Sequence, residues 1–141
     1  MSNSVLKDKD ENILNPNIPR YEKLIATELF NNPDGAGKDI ELNDSLANYK
    51  YIEIYYTNPT FDIFDSSRID NPNGKKTSLK VSMRYADGGA YYTYFRDVSF
   101  DGNKITNLYS GYYAVKTDSS IEYFNNNNYI SITKVLGYKK T

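Results

Sequence analysis

The stretch Lys50-Tyr51-Ile52-Glu53-Ile54-Tyr55-Tyr56-Thr57 puts Ile52, Ile54 and Tyr56 at every second position. Side chains two apart share one face of a β-strand, so the Ile face is expected to meet a core while Tyr51, Glu53 and Tyr55 face away. The run is rich in β-branched and aromatic residues, which suit a pleated, half-buried surface. The same alternation recurs in Leu79, Val81, Met83 and Tyr85, leaving Lys80, Ser82 and Arg84 on the outer side.

Working outward, similar short runs suggest strands at residues 24–30, 38–42, 50–57, 77–85, 90–100, 104–108, 112–116 and 129–136. Between them stand Asn32-Pro33-Asp34-Gly35, Asn71-Pro72-Asn73-Gly74, Asp87-Gly88-Gly89, Asp101-Gly102-Asn103 and a run of asparagines at 125–128. These residues tolerate positive φ or preset a turn, so the chain is expected to reverse at each. Many short strands with such punctuation specify an all-β chain: an antiparallel β-sandwich or jelly-roll-like barrel with no substantial helix. One helical turn is expected within 43–49, capped by Asp44 or Ser45 and too short to stand alone. Strand 90–100 does not alternate cleanly, because Tyr91, Tyr92, Tyr94, Phe95, Val98 and Phe100 populate both faces. Either a bulge near Arg96-Asp97 shifts the parity, or both faces are covered, the simplest cover being another copy of the chain.

Residues 1–23 are polar, contain Asn15-Pro16-Asn17 and Pro19, and read as an N-terminal arm or linker ahead of a single domain at 24–141. Within the arm, Asp8-Lys9-Asp10-Glu11-Asn12 imitates the opening of a calcium loop, but Ile13 stands where glycine is needed and Pro19 where a bidentate glutamate is needed. The first ten residues lack the apolar centre of a secretory signal, and no apolar run is long enough to suggest membrane insertion.

Composition limits the chemistry. The chain has no histidine and no cysteine, which removes Ser-His and Cys-His catalysis, disulfides and His- or Cys-ligated metals, so no cofactor is expected. Seventeen basic and eighteen acidic residues give a net charge of −1, and so no electrostatic reason to expect nucleic acid as a partner. Gly35-Ala36-Gly37 lacks the third glycine of a dinucleotide site. The catalytic alternative is a carboxylate-dependent glycan hydrolase using Asp62 and Asp65, which lie beside Phe61 and Phe64.

Fifteen tyrosines and six phenylalanines exceed what one small core should absorb, and an exposed tyrosine offers a rigid apolar face with a polar tip. The candidate ligand-binding residues are Tyr51, Tyr55, Arg84, Tyr91, Tyr112 and Tyr113. Parity sets Tyr51, Tyr55 and Arg84 opposite the core faces, where they are expected to share one sheet surface. Tyr112 and Tyr113 are adjacent, so at least one must point away from the core. A tyrosine ring can stack on a sugar while its hydroxyl hydrogen-bonds, and Arg84 suits a phosphate.

The run Leu29-Phe30-Asn31-Asn32-Pro33-Asp34-Gly35, followed by Ile40-Glu41-Leu42-Asn43-Asp44-Ser45-Leu46-Ala47-Asn48-Tyr49-Lys50-Tyr51-Ile52-Glu53-Ile54-Tyr55-Tyr56, resembles the distal domain of tail-fibre or minor structural proteins of phages and prophages of Gram-positive bacteria. Asn71-Pro72-Asn73-Gly74-Lys75-Lys76-Thr77 resembles a turn of that family, and Asn128-Tyr129-Ile130-Ser131-Ile132-Thr133-Lys134-Val135-Leu136-Gly137-Tyr138-Lys139 resembles its C-terminal ending. The resemblance implies a non-catalytic domain of the virion tail, a homotrimer joined to other tail proteins through its N-terminal arm. Its ligand would be cell-wall glycan or another surface receptor of the host. The alternative it allows is a structural module that trimerises and caps the appendage. It carries over no fixed ligand motif, and so transfers no binding residue.

Overall fold

A computed structural model of the chain describes residues 6–7, 13–14, 24–59, 61–84, 89–116, 121–125 and 129–140. The strands are β1 (Leu6–Lys7), β2 (Ile13–Leu14), β3 (Leu24–Ala36), β4 (Ile40–Glu41), β5 (Tyr51–Asn58), β6 (Ile63–Asp70), β7 (Lys76–Arg84), β8 (Tyr91–Asp101), β9 (Lys104–Val115), β10 (Ile121–Asn125) and β11 (Ser131–Lys140). Every pairing is antiparallel. The first sheet has the order β3-β11-β5-β6 and the second β10-β9-β8-β7, with β4 added to β9. Together they form an all-β architecture consistent with a β-sandwich, one sheet being curled like a half-barrel.

The inner faces follow the alternation of the sequence. Ile52, Ile54 and Tyr56 of β5 join Leu79 and Val81 of β7, and Val98 and Phe100 of β8, in one apolar core. The expected helical turn is a 3₁₀ turn, Leu46–Asn48, capped by the Ser45 hydroxyl, which accepts from the Ala47 N–H at 3.3 Å. Asp44 braces it by accepting from the Ser45 N–H at 2.8 Å and the Tyr49 hydroxyl at 2.8 Å. The turn drops Leu46 and Tyr49 into the core. Gly137 leaves the slot for the Tyr49 ring, since a Cβ there would lie 2.5 Å from Tyr49 Cδ1.

Several expectations need correcting. At residues 32–35 the chain does not reverse. Asn31 pairs with Lys134 and Ala36 with Ile132, so four residues of β3 stand opposite Thr133 alone and bulge out of the sheet. Gly35 takes φ +82° in this excursion. Residues 104–116 are not two strands: β9 is continuous, and Leu108 is its extra, bulged residue between the Val98–Asn107 and Asp97–Tyr109 pairs. Strand β8 therefore keeps its parity, with Tyr94, Arg96, Val98 and Phe100 buried on one side and Tyr91, Thr93 and Phe95 on the other. Strands β6 and β10 were not expected. Within the expected arm, β1 and β2 pair with each other, Leu6 opposite Leu14.

Elsewhere the turn chemistry holds. The Lys75 N–H donates to Pro72 O at 3.0 Å with Gly74 at φ +82°, and β8 returns into β9 through Gly102 and Asn103. The calcium-loop-like segment 8–12, Asp87-Gly88 and most of the asparagine run lie outside the described residues.

Candidate functional site

The sandwich separates the candidate tyrosines. Tyr51 and Tyr55 lie on the outer face of the first sheet, whereas Arg84, Tyr91 and Tyr113 lie on the outer face of the second. The expected shared surface does not exist, because parity fixes the face of a strand but not the sheet to which the strand belongs. Tyr112 turns inward, its ring 5.7 Å from those of Tyr92 and Tyr94 and 5.3 Å from that of Tyr129.

On the first sheet, cross-strand pairing sets Tyr138 beside Tyr51 and Leu136 beside Glu53. The Tyr51 and Tyr138 rings stack at 4.6 Å, and the Arg68 guanidinium covers the other side of Tyr51 at 3.8 Å. Tyr51 is thereby buried. Glu53 accepts from the Tyr55 hydroxyl at 2.6 Å and from the Tyr138 hydroxyl at 3.3 Å. The hydrogen bond to the Glu53 carboxylate, aided by burial, pushes the Tyr55 hydroxyl up to about 12. Tyr55 is thus held neutral, with its proton committed, and its ring is what it presents to a ligand.

That ring lines a groove of about 470 Å³ across the end of the sheet, bounded by Asn31, Pro33, Tyr55, Tyr56, Phe64, Asp65, Thr133 and Lys134. Strand order explains the shape. The bulge of β3 forms one bank through Asn31 and Pro33, β11 and β5 form the floor, and Phe64 with Asp65 on β6 forms the other bank. Phe64 is 70% exposed, a large apolar side chain left in water at the rim of a concave site. Thr133 buttresses the floor by donating to Tyr55 O at 3.2 Å. The groove combines aromatic surface with one carboxylate, one ammonium and one amide, the composition expected of a small-ligand site.

Asp62 sits in the turn before β6 with φ 54° and does not line the groove. Asp65 does line it, and its carboxylate accepts from the Ser66 N–H at 2.7 Å. Among the described residues no group of three His, Cys, Asp or Glu side chains is placed to hold a metal ion.

Where the β3 bulge ends lies Arg96, which is fully buried. Its Nη1 donates to Ala36 O at 2.6 Å and Ile130 O at 3.2 Å, its Nη2 to Lys38 O at 2.7 Å, and its Nε to Asn107 Oδ1 at 2.9 Å. One guanidinium thus ties the end of the β3 bulge to the start of β11 and to β9. Charge argued for an outward residue at this position, so Arg96 escaped sequence reasoning, as did Phe64, Lys134 and Asn31. The only available signal for Arg96 was its place among inward Tyr94, Val98 and Phe100 at even spacing. No family model, curated protein or solved structure matches the chain, so its geometry and its sequence are what bear on function.

Proposed function

We propose that this domain recognises carbohydrate at a cell surface without catalysing a reaction, and that the groove on the first sheet is the binding site. The observation that carries the proposal is the pairing of the exposed Phe64 ring with the Tyr55 ring in a concave site that also holds Asp65, Lys134 and Asn31. Sugars present apolar C–H faces and a fringe of hydroxyls. The rings suit the first, and a carboxylate acceptor beside ammonium and amide donors suits the second. Opposite charges in one groove favour a neutral, hydroxyl-rich ligand over an ion. The resemblance of the sequence to phage tail-fibre tips supports host attachment as the biological setting, with display as a homotrimer on the tail.

Purified cell-wall polysaccharide of Gram-positive bacteria provides the test, with binding followed by calorimetry. The Phe64→Ser and Lys134→Ala variants are expected to bind at least about tenfold more weakly, a loss of roughly 1.4 kcal/mol, with melting temperatures close to that of the parent. If both variants bind like the parent, the groove is not the site.

A further inference from the structure

The outer row of β7 reads Lys76, Ser78, Lys80, Ser82, Arg84, a cation at every fourth residue. All three cations are exposed, and none makes an ion pair among the described residues. Lysine on an edge strand commonly serves only to discourage strand pairing. Here the cations have a second relation. Arg84 stands directly opposite Tyr91 and Lys80 directly opposite Phe95, so a cation-and-ring pair repeats along the strands at about 14 Å, four residues of rise.

Strand β9 widens the surface. Gly111 opposite Phe95 leaves a gap in its row, and Tyr109 and Tyr113 on either side of that gap lie 5.7 and 6.2 Å from the Phe95 ring. The result is a strip of three rings, with Tyr91 57% exposed further along. The first carboxylate on this face is Asp97, opposite Tyr109 on one side and, on the other, Ser78, which stands between Lys76 and Lys80.

We propose that this face is a second binding site, separate from the groove, for a linear anionic polysaccharide. Sugar rings of the polymer lie on the exposed rings of Tyr91, Tyr109 and Tyr113, the latter two packed against buried Phe95, and its carboxylates or phosphates meet Arg84, Lys80 and Lys76 alongside. Charge complementarity selects this occupant: three cations, Lys76, Lys80 and Arg84, border the rings, and the one carboxylate set among them, Asp97, leaves the row net positive. A second copy of the chain is the competing occupant. Over β7, β8 and β9 the described surface from the Arg84–Tyr91 pair to the Lys76–Ser99 pair covers roughly 27 by 10 Å, well short of the ~800 Å² per partner of a stable protein interface.

The test titrates the chain with polygalacturonate, which is anionic with rings, with dextran, which is neutral with rings, and with polyphosphate, which is anionic without rings. Polygalacturonate is expected to bind best, and more weakly as salt is raised. The triple variant Lys76→Gln, Lys80→Gln, Arg84→Gln should lose about tenfold, the combined effect of three exposed ion pairs. Tyr91→Ser should weaken polygalacturonate binding and leave polyphosphate unchanged. Phe64→Ser in the groove should leave the polygalacturonate and polyphosphate titrations unaltered, whatever it does to dextran, so failure here and failure of the groove assignment are distinguishable. Equal binding by parent and triple variant would overturn the proposal, as would equal affinity for polyphosphate. A particle several times 16 kDa in light scattering that Tyr91→Ser returns to 16 kDa would assign the face to a second copy instead.

Discussion

Replacing Arg96 with methionine keeps a long apolar stem in the core and deletes the guanidinium. Three backbone carbonyls, Ala36 O, Lys38 O and Ile130 O, and the Asn107 side-chain oxygen then lose their donor. Each buried acceptor left without a partner costs about 1–3 kcal/mol; the Ile130 contact is buried and the other three are part-buried, so the gross loss is at most about 12 kcal/mol. Against that stands the relief of no longer burying a cation, several kcal/mol; burial already pushes the Arg96 pKa down, with Asp39 the opposing influence. The net expectation is a loss of about 3–5 kcal/mol, the range seen when one partner of a buried charged network is removed, out of a total stability of about 5–15 kcal/mol. Urea unfolding reads this directly. With a slope near 2 kcal/mol per molar, the midpoint should fall by about 1.5–2.5 M. Should Arg96→Met not fold, Arg96→Lys supplies the second measurement, since a lysine ammonium has three donors and no planar fork and should recover only part of the stability. A loss below about 1 kcal/mol for Arg96→Met would refute the claim that this side chain fastens the β3 bulge to β11.

Gly35→Ala forces an L side chain to φ +82° and sets its Cβ 2.6 Å from Ser131 Cβ, so it should cost about 1–3 kcal/mol in thermal unfolding and weaken glycan binding at the groove; Gly102→Ala, with open space around it, should cost only about 1 kcal/mol for its φ. Gly137→Ala drives a methyl group to 2.5 Å from Tyr49 Cδ1 and 2.9 Å from Leu29 Cδ1, and should destabilise by about 1–3 kcal/mol through overpacking, a penalty that Tyr49→Phe leaves in place. The hydroxyls of Tyr49, Tyr55, Tyr56 and Tyr138 are all raised on folding, through burial or the nearby carboxylates. The folded state therefore favours their protonated form, a stability fully present below the ordinary tyrosine value of 10 and lost as pH rises toward the value of about 12 for Tyr55. Near-ultraviolet titration should show Tyr55 ionising late, and Glu53→Gln should bring it earlier.

How much of this was legible follows from what each element does with its side chains. β7 was readable because one face is buried and the other largely wet, and β5 because its aliphatic inner face alternates with the Tyr and Glu of an outer face covered only by side chains of its own sheet, which writes a period of two into the sequence. β6 was not, since Phe64-Asp65-Ser66 is exposed and only Ile69 of the strand is buried; an edge strand that donates little to the core leaves little pattern. The sequence at 32–35 does carry turn chemistry, but the same residues that reverse a chain also let it bulge, and only the partner strand decides between them. Arg96 and Asp97 marked trouble in the right place for a different reason. The irregularity belongs to Leu108 on the neighbouring strand, and the charge belongs inside. The Tyr112-Tyr113 pair split between faces, as adjacent positions in a strand must, yet which one turned outward depended on the register of β9 with β8.

The tyrosine surplus resolves by the same accounting. Tyr21, Tyr85 and Tyr123 fall among residues whose side chains are not described. Of the rest, Tyr49 and Tyr56 are buried with their hydroxyls on Asp44 and Ser67. Tyr92, Tyr94, Tyr112 and Tyr129 pack ring against ring at the inner face. Tyr51 and Tyr138 stack on one another beneath Arg68. Tyrosine in these positions is structural, joining a large apolar face to a hydroxyl that finds a partner in a small domain. Tyr55, Tyr91, Tyr109 and Tyr113 remain. The first is committed through its hydroxyl but open through its ring at the groove, and the other three lie on the outer face of the second sheet, where packing against the core cannot explain them. Five of the large apolar side chains exposed by the described residues, Tyr91, Leu108, Tyr109, Tyr113 and Val115, belong to the adjacent strands β8 and β9. Scattered exposure needs no explanation, but exposure gathered onto one pair of strands and bordered by a regular row of cations does, and it is there that ligand binding should be sought alongside the groove.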